Sequence, residues 1–213
     1  MVKSLVKISP SILSVPIELV PEKINKVEKN IDYIHIDVMD GKFVSNKTNG
    51  IEMFLAGKKS SDKPLDVHLM VENPIKEIEK YKGAEIITFH IEAVKSEEEV
   101  LEIIEKIHSL GAKAGISIKP NTDVKSIKRY LDEIELVLVM SVEPGYGGQK
   151  LIPETLEKIS LLRNAGFEGL IEVDGGINLD NCKVVKEYDI DIIVAGTAIF
   201  SALDENEAIL KIK

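Results

Sequence analysis

A histidine and an aspartate two residues apart give this chain its first chemistry: His35 and Asp37 in Tyr33-Ile34-His35-Ile36-Asp37-Val38-Met39-Asp40-Gly41. In a β-strand their side chains fall on one side while Ile34, Ile36 and Val38 fall on the other. The same spacing recurs in Asp66-Val67-His68-Leu69-Met70, where Asp66, His68 and Met70 share a side, and in Glu172-Val173-Asp174-Gly175-Gly176, with two acids on one parity. If the strand ends converge, the two imidazoles and two carboxylates of His35, Asp37, His68 and Asp174 make a ligand set for one divalent zinc, manganese, iron or cobalt ion. Any one such histidine could equally satisfy a backbone carbonyl in the core. Four such groups at three strand ends would each need a buried partner of their own. Asp66 and Glu172 lie deeper on the same parity and read either as partners that orient the histidines or as plain polar core residues.

Glycines form a second constellation. Val142-Glu143-Pro144-Gly145-Tyr146-Gly147-Gly148-Gln149, Gly175-Gly176 and Gly196-Thr197 each follow a strand candidate. Glycine lets backbone approach a ligand closely, and amides at successive turns make an anion nest. A single Gly-Gly would be only a turn, but three clusters on adjacent strands favour a phosphate.

The elements that must position these groups alternate along the chain. Strands are expected at Leu5–Ser9, Tyr33–Asp37, Leu65–Met70, Ile86–His90, Lys113–Ile118, Leu136–Met140, Leu170–Asp174 and Ile190–Ala195, each short and rich in apolar or β-branched residues. Helices are expected at Pro16–Lys29, Ile51–Lys58, Pro74–Tyr81, Ser96–Leu110, Val124–Tyr130, Pro153–Asn164, Leu179–Glu187 and Glu205–Ile212. The fourth is the clearest, with Val100, Ile103, Ile104 and Ile107 at helical spacing. Alternation alone fits either an open doubly wound sheet or a closed barrel. The polar residues gather at the ends of many strands rather than at one crevice, which is the expectation for a (β/α)₈ TIM barrel, a closed parallel eight-stranded sheet. Residues 1–213 read as one catalytic domain without long linkers.

A formal net charge of −9, with no Lys/Arg-rich stripe, excludes nucleic acid as an expected partner. It leaves room for a small phosphate ester held by local amides. The single cysteine, Cys182, rules out an intrachain disulfide and a multi-thiolate zinc site. The N-terminal stretch lacks a signal-peptide core and no segment approaches a membrane span, so the cytoplasm is the expected location.

The sequence resembles the ribulose-phosphate 3-epimerase family along essentially its whole length. The resemblance rests on Ile8-Ser9-Pro10-Ser11-Ile12-Leu13-Ser14, His35 to Gly41, Asp66 to Val71, Ile87-Thr88-Phe89-His90, Val142 to Gln149, Glu172 to Ile177 and Val194 to Phe200. It implies a metal-dependent isomerase that interconverts D-ribulose 5-phosphate and D-xylulose 5-phosphate by proton transfer at C3 through an enediolate. Carried over, His35, Asp37, His68 and Asp174 would hold one divalent metal, and Asp37 and Asp174 would also be the acid/base pair. Ser9 and His68 would contact the sugar. Gly145, Tyr146, Gly147, Gly148, Gly175, Gly176, Gly196 and Thr197 would surround the phosphate. Met39, Met70 and Met140 would form an apolar wall, although ordinary packing accounts for them about as well.

The expected partner is therefore a small-molecule ketose phosphate, with neither nucleic acid nor membrane, and homo-oligomerisation is left open. Alternatives are an epimerase of a six-carbon ketose phosphate such as allulose 6-phosphate and, less favoured, a sugar-phosphate sensor. The chain departs from the family pattern after Phe43-Val44, where Ser45-Asn46 replaces Pro-Asn and Lys47-Thr48-Asn49-Gly50 follows. Tyr146 stands where phenylalanine is commoner, and Thr197 where serine is common.

Overall fold

The computed structural model describes residues 5–213. Residues 1–4, part of the stretch read as lacking a signal-peptide core, lie outside them. Eight parallel strands run β1 Lys7–Pro10, β2 Ile34–Met39, β3 Leu65–Met70, β4 Ile86–His90, β5 Lys113–Ile118, β6 Leu136–Met140, β7 Leu170–Asp174 and β8 Ile192–Ala195, hydrogen-bonded in the order β1-β8-β7-β6-β5-β4-β3-β2. The seam between β1 and β2 closes through a parallel bridge between Ser11 and His35 and through the amides of Asp32 and Tyr33, which donate to the Ile8 carbonyl at 2.9 and 3.2 Å. The result is a (β/α)₈ barrel.

The helices are α1 Val20–Val27, α2 Gly50–Ser60, α3 Pro74–Glu77, α4 Glu97–Ser109, α5 Glu157–Asn164, α6 Cys182–Val185, α7 Thr197–Phe200 and α8 Glu205–Ile212. In α4, Ser96 caps the Glu99 amide, three glutamates occupy the first turn, and Val100, Ile103, Ile104 and Ile107 are buried. The expected helix Val124–Tyr130 is instead two 3₁₀ turns, Val124–Ser126 and Lys128–Tyr130. Its buried residues Val124, Ile127 and Tyr130 repeat strictly every third position, the period at which 3₁₀ turns eclipse their side chains, whereas along an α-helix the same spacing drifts round the axis. The expected helix Leu179–Glu187 shortens to α6, because the Asn178 side chain accepts from the Asp180 and Asn181 amides and shapes a turn there. Helix α7, not expected from the sequence, follows Gly196 directly.

Two faces of the sheet are buried in different company. The outward residues, among them Ile34, Ile36, Val38, Val67, Leu69, Val137, Val139, Ile171 and Val173, join the helices in one large apolar core. The interior holds a second apolar set of Ile86, Leu136, Leu138, Met140 and Ile192. It also holds the buried polar groups Ser9, His35, Asp66, His68, Thr88, His90, Ser117 and Glu172. Apolar packing against the helices thus sustains a barrel whose inner surface is free to carry polar groups.

Candidate metal and sugar-phosphate site

The parity rule operates as the strands require: His35 and Asp37 on β2, His68 on β3 and Asp174 on β7 meet at the C-terminal mouth. His35 Nε2 lies 3.5 Å from Asp37 Oδ1 and 3.9 Å from Asp174 Oδ2, and His68 Nδ1 lies 3.4 and 3.7 Å from the same two oxygens. One ligand atom from each of the four falls within 4.8 Å of all the others. His35 and His68 are fully buried, whereas the Asp174 side chain keeps 17 % exposure at the mouth.

A divalent metal fits this donor set on two grounds. The nitrogens facing the cluster, His35 Nε2 and His68 Nδ1, are buried without a hydrogen-bond partner among the described residues, a costly state unless a cation takes their lone pairs. Their other nitrogens are engaged: His35 Nδ1 with Asp66 Oδ2 at 2.6 Å, and His68 Nε2 with His90 Nε2 at 2.9 Å. Asp66 thereby orients His35, the first of the two readings its position allowed.

The two catalytic candidates are pushed apart electrostatically. Burial raises Asp37, but the close imidazole of His35, with that of His68 adding to it, outweighs burial and holds it far below the usual carboxylate range. Burial, reinforced by the neighbouring Asp37 charge, pushes Asp174 up to about 6. Glu172 is raised well above its ordinary value by burial and by Asp66. Burial lowers His35, but Asp66 and Asp37 overcome it and raise its proton affinity well above normal. Burial also pushes His90 down to about 4.

Above the cluster opens a cavity of about 520 Å³. Met39, Met70 and Met140 line it beside Asp37 and Asp174, and Gly145 to Gly148, Gly175, Gly176, Gly196 and Thr197 line the side formed by the β6, β7 and β8 loops. Gly176 has φ +68°, and a Cβ there would stand 2.3 Å from the Leu151 amide nitrogen, so only glycine fits. Tyr146 lines the same cavity at 61 % exposure.

Neither of the two expected sugar contacts lines the cavity: His68 is fully buried within the metal cluster, and Ser9 is buried against Asp66. The Ser9 hydroxyl donates to Asp66 Oδ2 at 3.1 Å, below the cavity. Ser11, on the same parity and nearer the mouth, lines the cavity and donates to Asp37 Oδ2 at 2.6 Å. Sequence patterns also assigned no site role to Asn46 and Asn178, which line the cavity, or to His90. The unusual loop is fastened rather than loose. The Thr48 hydroxyl accepts from the Met39 amide and donates to the Asp37 carbonyl, both at 2.9 Å, which ties the loop to the strand bearing Asp37.

The fold and this mouth define a class: (β/α)₈-barrel enzymes with a histidine and carboxylate cluster able to hold a divalent metal beside a glycine-lined cavity. The ribulose-phosphate 3 epimerase family model matches residues 7–200. Among curated relatives, ribulose-phosphate 3-epimerase of Bacillus subtilis is 40% identical, covering 98% of this chain and 99% of the relative. The chloroplastic ribulose-5-phosphate-3-epimerase of Arabidopsis thaliana is 42% identical over 99% of this chain and 77% of its own. The chain belongs to the ribulose-phosphate 3-epimerase family. Solved structures share the fold alone: KGPDC from Streptococcus mutans has a TM-score of 0.75 at 14% identity, covering 98% of this chain and 96% of its own, and 3-hexulose-6-phosphate synthase from Salmonella typhimurium has 0.72 at 18%, covering 97% and 96%. No helix among the described residues is long and apolar enough to cross a membrane.

Proposed function

We propose that this chain interconverts D-ribulose 5-phosphate and D-xylulose 5-phosphate, with the site residues in the following roles. The phosphate sits against Gly145, Gly147, Gly148, Gly175, Gly176, Gly196 and Thr197, where turn amides meet the start of a short helix after β8, a common phosphate position in this fold. That leaves the ketose carbons to reach toward Asp37 and Asp174. His35, Asp37, His68 and Asp174 hold the metal, which when bound supplies Lewis-acid stabilisation of the charge that develops as the C3 proton leaves.

The chain's own groups move the proton. Inversion requires loss from one face of C3 and delivery to the other, so two carboxylates from different strands are needed. In the metal-free cluster the neighbouring histidines favour ionised Asp37 and burial favours protonated Asp174; with the metal held, Asp37 takes the proton from one face of C3 and Asp174, once protonated, delivers one to the other. The reverse reaction exchanges their roles. Ser11 fixes Asp37 through its Oδ2. Met39, Met70 and Met140 keep water from the reacting carbons without offering donors that compete for the developing charge. The single thiol, Cys182, is buried and suits a reducing cytoplasm.

The observation that carries this reading is the convergence of Asp37 and Asp174 with His35 and His68 beside a glycine-lined cavity. The experiment is a coupled assay of metal-reconstituted protein that compares kcat/KM for ribulose 5-phosphate and allulose 6-phosphate. We expect preference for the five-carbon sugar, in keeping with the relatives at about 40% identity. Protein inert toward both sugars overturns the enzymatic reading, and preference for the six-carbon sugar overturns the substrate.

A further inference from the structure

His68 reaches the metal cluster through Nδ1, so that nitrogen must carry a lone pair and the ring proton must sit on Nε2. Nothing in His68 itself enforces this, since a neutral imidazole can carry its proton on either nitrogen. The order has to come from its neighbour. His68 Nε2 is 2.9 Å from His90 Nε2, and only one of these nitrogens can hold the proton between them. His90 Nδ1 in turn lies 3.0 Å from Glu92 Oε2. Both imidazoles are fully buried, so water cannot substitute at either one.

We propose that Glu92 and His90 are positioning residues for the metal centre, a hydrogen-bond relay that fixes His68 as the tautomer with its Nδ1 lone pair facing the metal. This inference rests on the assignment of His68 as a ligand.

The direction of the relay is set at its carboxylate end. An ionised carboxylate only accepts, so His90 Nδ1 must donate to Glu92, His90 Nε2 is left with a lone pair, and His68 Nε2–H donates to it. Glu92 is anchored where the relay needs it, because its other oxygen, Oε1, accepts the Lys119 amide at 2.7 Å and the Thr122 hydroxyl. Phe43 fixes the plane of His90 from the β2 loop, with ring centroids 4.8 Å apart, and the Lys119 ammonium in turn lies 4.0 Å from the centre of the Phe43 ring. His35 needs no such chain, because Asp66 meets its Nδ1 directly. Each histidine of the cluster therefore ends on a carboxylate, one directly and one through a second imidazole.

The anchoring of Oε1 makes an isosteric substitution informative. In Glu92→Gln the amide oxygen is retained by the Lys119 N–H and the Thr122 hydroxyl, so the NH₂ faces His90 Nδ1 and makes it an acceptor. The proton of His90 then moves to Nε2, which donates to His68 Nε2, and the His68 proton is driven to Nδ1, where it opposes a cation. His90→Phe keeps a ring against Phe43 but removes the acceptor altogether.

The test has two arms. Nitrogen-15 NMR of imidazole-labelled, metal-free wild type should show His68 protonated on Nε2 and His90 on Nδ1, and the Glu92→Gln protein should show both reversed. Titration with Co²⁺, followed by its visible absorption, should show binding weakened about 10- to 100-fold in Glu92→Gln and His90→Phe, with the thermal midpoint of the metal-free proteins confirming that both fold. Wild-type His68 protonated on Nδ1 overturns the relay without any variant. So does Co²⁺ binding by both variants as tight as wild type. Wild type that binds no Co²⁺ while showing the expected tautomers instead defeats the metal assignment of His68, and with it the purpose of the relay.

Discussion

At the scale of single residues, Asp37 and Asp174 have roles that an amide cannot fill. Asp37→Asn and Asp174→Asn should each lower turnover by about 10²–10⁴, and metal content measured on the same samples separates lost proton transfer from lost ligation. Near-normal epimerisation by either metal-loaded variant would contradict the two-acid assignment. Protons also compete with the metal. Without a cation, His35 binds a proton more tightly than usual because Asp66 and Asp37 outweigh its burial. Metal binding must displace that proton, and the Asp174 proton too when the pH is below about 6. Affinity should therefore rise with pH, by about tenfold per unit for each proton displaced, and fall on acidification. Calorimetry in two buffers of different ionisation enthalpy counts the released protons; zero release at pH 6 would show that these sites are not where the metal binds. The four proposed ligands were legible because period-two spacing assigns a side of a strand without any knowledge of its neighbours. Depth is different: Ser9 and Ser11 share a parity, and only the stagger of the closed barrel puts Ser9 against Asp66 and Ser11 in the cavity. His90 was missed as a site residue because its position depends on β3 and β4 lying side by side.

At the scale of elements, strand ends were readable where β-branched runs stop at a turn, and β3 to β7 fall at the expected residues. Helices were less so, since their windows contained short segments whose side chains or capping groups favour 3₁₀ turns, as at Val124, Ile127 and Tyr130. Contacts between distant elements carry no local pattern at all. The clearest case joins the end of the chain to its beginning: Glu205, the first residue of α8, is 3% exposed and meets Lys23 of α1 at 2.6 Å through one oxygen and Lys26 through the other. Burial raises the Glu205 proton affinity, but the two lysine hydrogen bonds prevail and bring it down to about 2. A carboxyl lowered on folding stabilises the fold above its ordinary value near 4.5 and loses that contribution as pH falls through about 2. Glu205→Gln should cost about 1–3 kcal/mol at neutral pH, with Lys23 and Lys26 partly exposed and able to find water. Denaturant unfolding of both proteins from pH 7 to pH 2 checks this: the difference should shrink in acid, and a difference that stays constant would mean the carboxylate charge is not what joins α8 to α1.

At the scale of the whole molecule, the barrel and its chemistry rest on different groups. The large core between sheet and helices contains none of the four ligands, and the cluster occupies one end of the barrel. Chelation should therefore abolish turnover while leaving the sheet and helices in place. It should still lower stability, because a cation that binds only the folded state adds about 2.7 kcal/mol when present at 100 times its dissociation constant. For a chain of this size each kcal/mol shifts the thermal midpoint by about 2–4 °C, so stripped protein should melt roughly 5–10 °C lower than protein reloaded at that excess. The loss is bounded on its other side by the groups left behind. Without a cation, His35 Nε2 and His68 Nδ1 are buried and unpaired among the described residues, but His35 can take a proton, which Asp66 and Asp37 stabilise in place of the metal. That substitution keeps the apo barrel folded near neutral pH, and the gap between the two melting temperatures should narrow toward pH 6 as protons fill the cluster and metal affinity falls. Circular dichroism of chelated protein that retains its far-ultraviolet spectrum, regains activity on readdition of a divalent ion and shows this narrowing is the expected result. Collapse of the spectrum on chelation would mean that the metal holds the barrel itself, and that the core between sheet and helices is not sufficient to sustain it.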